Sequence, residues 1–70
     1  MTLTLLLRFL GFVRPTLAMT PEFIAVFEEA RSLLDPIDQA TAREALADLQ
    51  ADNDAGHARL QAKLAAAQRG

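Results

Sequence analysis

Seventy residues suffice for one small domain with a modest core, and chains of this size usually lean on a disulfide, a metal or a partner for stability. The absence of cysteine excludes disulfides and thiolate metal sites, a single histidine excludes a two-histidine site, and the lack of Trp and Tyr removes the usual stacking platforms for bases and sugars. The net charge of −2 conceals segregation: residues 1–20 carry +2, residues 21–56 carry −7 with all nine acids, and residues 57–70 carry +3.

Abundant Ala and Leu with only three glycines predict an all-α chain. The basic–acidic–basic order offers no continuous basic surface, so nucleic acid is not an expected partner. The order suits antiparallel pairing of two chains, basic tail on acidic middle. End charges matched to helix dipoles on a solvated surface explain the same pattern.

The first segment, "MTLTLLLRFLGFVRPTLAM", is the most apolar. As a helix from about Thr2 to Val13 it has only Thr4, Arg8 and Gly11 on a polar edge, so nearly its whole circumference is apolar. Arg14-Pro15 should end it, because the residue before proline is pushed out of the helical region. A membrane span needs about 20 apolar residues, and here Arg8 interrupts the run and Pro15 follows it. No basic residue precedes the leucines and "PTLAM" is a poor cleavage site, so a secretory signal is not expected. Packing in a core or oligomer interface is the favoured role, with a position at a membrane surface as the alternative.

The next helix has a clear start: Thr20 can cap, Pro21 fits the first turn, and Glu22 faces the positive end of the dipole. Phe23, Val26, Phe27, Ala30, Leu33 and Leu34 follow at helical spacing. At "LLDPID" the grammar repeats, with Asp35 as cap, Pro36 at the first position and Asp38 at the third. The chain must turn there, because Pro36 cannot donate into the preceding helix.

From Pro36 toward Arg69 the sequence supports one helix of about 50 Å at ~1.5 Å per residue. Its stripe runs Leu46, Leu49, Asn53, Gly56 or His57, Leu60, Leu64 and Ala67, and Leu46, Asn53, Leu60 and Ala67 fall seven apart, as in a coiled-coil seam. Three readings compete at residues 52–57. "DNDAG" is a turn, with Gly56 as a left-handed cap. Alternatively it is a calcium loop, which fails because Ala51 stands where the first carboxylate is required. The third reading, favoured by the spacing, keeps the helix and makes Asn53 a polar seam residue that sets register, with Gly56 allowing close approach.

No nucleophile elbow, glycine-rich phosphate loop or HExxH motif is present. Glu28 and Glu29 are adjacent and do not face one another, and Glu44 and Asp48 read as a charged surface. The sequence therefore predicts no enzyme, catalytic residue, metal or cofactor.

The run "LADLQADNDAGHARLQAKLAAAQ" (residues 46–68) resembles the helical ends of short accessory proteins encoded by temperate phages and prophages. The likeness is compositional and carries over no functional residue. It implies inhibitors that sequester host factors, or small membrane-associated lysis proteins.

The expected architecture is a single all-α domain over 1–70. It is a hairpin or bundle of two to three helices, comprising an apolar segment at 1–14, a helix at 20–34 and a long helix at 36–69, broken near 52–56 if the turn reading holds. A helix spanning residues 20–34 is too short to cover a 50 Å partner, so homodimerisation is expected to complete the fold. Leu3, Leu7, Phe9, Leu10, Phe23, Phe27, Leu34, Leu46 and Leu49 are the candidate core or dimer contacts. Asn53, Gly56, Leu60 and Leu64 are the candidate seam or partner contacts. The expected function is a cytoplasmic protein-interaction module that blocks or modulates a host protein as a dimer, so its partners are itself and another protein. The alternatives are a peripheral membrane protein anchored by residues 1–19, or a small structural subunit of a larger assembly.

Overall fold

Three proline-led helix starts and one left-handed residue divide the chain. The computed structural model describes residues 2–69, and these hold five helices: α1 (Leu3–Leu10), α2 (Pro15–Ala18), α3 (Pro21–Arg31), α4 (Pro36–Ala51) and α5 (Asp54–Arg69). Met1 and Gly70, the outermost residues of the expected domain, lie outside the described residues.

Each start has a local cause. The Thr2 hydroxyl accepts from the Leu5 amide at 3.2 Å and begins α1. Pro15 sits at the first position of α2, a single turn that links α1 to α3. Thr20 accepts from the Phe23 amide at 3.3 Å, with Pro21 and Glu22 in the first turn of α3. Asp35 accepts from the Asp38 amide at 2.8 Å ahead of Pro36, which begins α4. In each case a side-chain oxygen or a proline deals with amides that have no partner inside the helix.

The expectation of two to three helices with a long C-terminal one is not met. Asp52 adopts the left-handed conformation (φ 51°, ψ 49°) and ends α4, its amide bonded to the Leu49 carbonyl. The Asn53 side chain then accepts from the Gly56 amide at 2.7 Å, as a helix cap does. Asn53 is therefore the start of a new helix and not a seam residue. Gly56 is not the left-handed cap that the turn reading assigns it, because its φ is not positive and it lies inside α5. A 50 Å helix would also exceed the longest dimension of the molecule, 28 Å.

Because of this break, α5 doubles back along α4, and α1 lies across both. The core collects Leu6, Leu7 and Leu10 from α1, Ala18 from α2, Phe27 from α3, Leu34, then Ala42, Ala45, Leu46 and Leu49 from α4 and Leu60 from α5. Ala18, Ala42 and Ala45 are fully buried, and small side chains there let α2 lie close on α4. Gln50 fixes that contact by donating to the Ala18 carbonyl at 2.9 Å. Thr4 donates to the Ala67 carbonyl at 3.3 Å and ties the two ends of the chain together.

Two further expectations are corrected by this packing. Leu60 is buried against the chain's own core and Leu64 packs beside it, so the stripe beyond Asn53 needs no second chain to cover it. The segment expected to anchor the chain at a membrane is instead built into the fold, with Leu6, Leu7 and Leu10 of α1 and Ala18 of α2 turned into the core. No helix among the described residues is long and apolar enough to cross a membrane.

Candidate functional site

The sequence candidates separate into those the fold consumes and those it leaves outside. Leu7, Leu10, Phe27, Leu34, Leu46 and Leu49 are buried, and Leu3 and Phe23 are half-buried against the same core. Of the expected seam, Gly56 and Leu60 are buried, Leu64 is half-buried, and Asn53 is exposed in its capping role. Phe9 differs from the other candidate core residues, because it is 51 % exposed although it belongs to α1.

Around Phe9 the structure assembles an apolar face. Leu5, Phe9 and, in the turn after α1, Phe12 follow one another at intervals of four and three residues, and they are 56, 51 and 88 % exposed. Opposite them on α3 stands Val26, 64 % exposed. Between the two helices runs a groove of about 340 Å³ lined by Leu5, Leu6, Phe9, Val26, Phe27 and Ala30. Two of its lining rings, Phe9 and Phe27, are joined through Phe23: the Phe9 and Phe23 ring centroids lie 6.0 Å apart, and those of Phe23 and Phe27 lie 6.3 Å apart, with nearly parallel planes. Stacked rings attract one another beyond the area they bury, which favours this arrangement. The signal for this face was present in the sequence as the all-round apolar character of the first segment. A helix that packs on one side of such a segment cannot cover the rest.

The two rims of the groove differ in charge. Arg8 follows Leu5 by three residues and precedes Phe12 by four, is exposed, and stands outside the residues that line the groove. Glu22 and Glu29 flank Val26 at i−4 and i+3 on α3, both exposed and both outside the residues that line the groove. Among the described residues none of these three has an ion-pair partner, whereas Glu28 pairs with Arg31 within α3.

A second polar feature lies where α4 meets α5. Asp48 is buried, and its two carboxylate oxygens accept from Arg59 Nε at 2.9 Å and Lys63 Nζ at 2.6 Å. Burial raises the Asp48 pKa, but the hydrogen bonds and charges of Lys63 and Arg59 outweigh it and hold the carboxyl below its ordinary value. The contact is a clamp between antiparallel helices, with every carboxylate oxygen already engaged. A smaller hollow of about 140 Å³ at the end of α1 is lined by Leu10, Gly11, Val13, Pro15, Leu49, His57, Leu60 and Gln61. Among the described residues no group of His, Asp and Glu is placed to hold a metal ion.

No family model matches the chain, and comparisons with curated proteins and with solved structures find no match, so the function is argued from the surface itself.

Proposed function

We propose that this chain is a non-enzymatic interaction module, an accessory-type protein that acts by seating its α1–α3 face on another protein and blocking or modulating that partner. One observation carries the reading: exposed Leu5, Phe9 and Val26 line one apolar groove between α1 and α3, and Phe12, also exposed, follows Phe9 by three residues. Scattered apolar side chains are ordinary on a protein surface, but a joined patch with polar rims marks a place where another molecule docks. A few residues at the centre of such a patch carry most of the binding energy, and Phe9 on the groove lining is placed for that role.

The test compares the full chain with a Phe12→Ser/Val26→Glu variant, immobilised and exposed to a lysate of cells that normally express the protein. A partner held by the parent and lost by the variant is then purified, and both affinities are measured by calorimetry. The variant is expected to bind about a hundredfold or more weakly, the effect of removing two contacts of this face. Equal binding by parent and variant overturns the reading, as does a parent that retains nothing.

A further inference from the structure

We propose that the α1–α3 groove is filled by a second copy of this chain, related to the first by a two-fold axis running along the groove. The inference rests on the reading of this face as a docking surface and adds its occupant in the free protein, a second copy that a partner protein displaces. It does not revive the expected seam, because Leu60 and Gly56 are already buried in the chain's own fold.

The argument is charge complementarity. Exposed Arg8 stands among the apolar residues of α1 (Leu5 and Phe9, with Phe12 after the helix), and exposed Glu22 and Glu29 flank Val26 on α3, so the face has a basic α1 side and an acidic α3 side. A two-fold axis along the groove lays α1 of one copy over α3 of the other. Arg8 of each copy then meets the Glu22 and Glu29 rim of its mate, and the apolar centres coincide. A face with rims of one sign would repel itself in this arrangement; a face with opposite rims attracts itself twice. All three rim residues lack an ion-pair partner among the described residues, so the pairing breaks no ion pair seen within the chain. The segregation of charge along the sequence supplies the two rims, since α1 carries no acid and the acids of α3 outnumber its one arginine.

The symmetry gives a sharp test on the full-length chain. The parent is expected to show a monomer–dimer equilibrium by sedimentation velocity across a concentration series. Arg8→Glu alone places Glu against Glu at both ends of the dimer, and Glu22→Lys/Glu29→Lys alone places Arg against Lys. Because the two-fold doubles each change, either variant is expected to dissociate at about tenfold higher concentration or more. An equimolar mixture of the two restores both contacts and is expected to form a heterodimer of parental affinity. That recovery also shows that neither variant has failed to fold. A parent that remains monomeric throughout overturns the proposal, as do variants that dimerise like the parent or a mixture that shows no recovery. If the parent is monomeric yet still captures another protein through Phe12 and Val26, the occupant is that protein and only the second-copy inference falls. If capture is independent of the face as well, both fall.

Discussion

The α-carbon of Gly56 packs against the main-chain carbonyl of Asp48, and this contact sets how closely α5 lies on α4. A Cβ at position 56 would run into that carbonyl, and it would also stand 3.1 Å from Ala51 Cβ and 3.2 Å from Asn53 Oδ1. Alanine is the better helix former by about 1 kcal/mol, so in an unpacked helix the substitution would stabilise. Here backbone cannot swing aside as a side chain would, and the overpacking cost of about 1–3 kcal/mol should win. Gly56→Ala is therefore expected to lower the urea midpoint. An unchanged or raised midpoint would mean that the two helices are not in contact at this point.

Asp52 and Asn53 provide an independent probe of the same corner. Asn53 caps α5, so Asn53→Leu should cost about 1 kcal/mol, whereas a seam position would gain stability from leucine. Asp52 holds φ 51°, a conformation that costs a non-glycine residue roughly 1 kcal/mol. Asp52→Gly is expected to recover part of that cost. Opposite signs for the two substitutions, read by thermal denaturation, identify a turn; a gain from Asn53→Leu would reinstate the seam.

This corner is also where the sequence was hardest to read. The starts of α3 and α4 were legible because Thr20-Pro21 and Asp35-Pro36 each combine a cap with a proline, two signals of purely local physics. The turn at residues 52–53 has no proline, and both competing readings draw on the same residues: Asn53 is as apt at a cap as at a seam. What decides between them is the Gly56–Asp48 approach, a contact between helices that local rules do not contain. Helix α2 was missed for a related reason, since a single turn is shorter than any periodic signal. The candidate face was half legible. The sequence points to uncovered apolar surface on both the first segment and the C-terminal stripe, and the turn at residues 52–53 lets the chain's own core cover the stripe.

The Asp48 clamp predicts a specific response to pH. Its folded pKa lies below the ordinary value of 3.8, so the unfolded chain binds more protons near that pH and acid favours unfolding. The contribution of the clamp is complete above the unfolded value and is lost as pH falls through the lowered folded one. Asp48→Asn should cost about 2 kcal/mol at neutral pH, because Arg59 and Lys63 lose their shared acceptor charge. The same variant should show a flatter acid limb in a plot of stability against pH. An acid limb as steep as the parent's would mean that Asp48 is not the carboxylate responsible.

Leu7 and Phe12 test whether the core and the docking face are separate. Both sit in the apolar N-terminal segment, five residues apart, yet Leu7 is fully buried and Phe12 is 88 % exposed. Leu7→Ala removes packed atoms from the meeting point of α1 with α4 and α5, and about 2–5 kcal/mol should be lost. For a domain of this size, with total stability on the order of 5 kcal/mol, that is close to complete unfolding. Phe12→Ser removes no intramolecular packing, so the monomer should change by no more than about 0.5 kcal/mol. If the face is covered by a second copy, the parent's melting temperature rises with protein concentration, and Phe12→Ser abolishes that dependence while leaving the dilute value in place. A large loss of stability at high dilution for Phe12→Ser would show that the ring belongs to the core, and the face would then have no aromatic anchor to offer a partner.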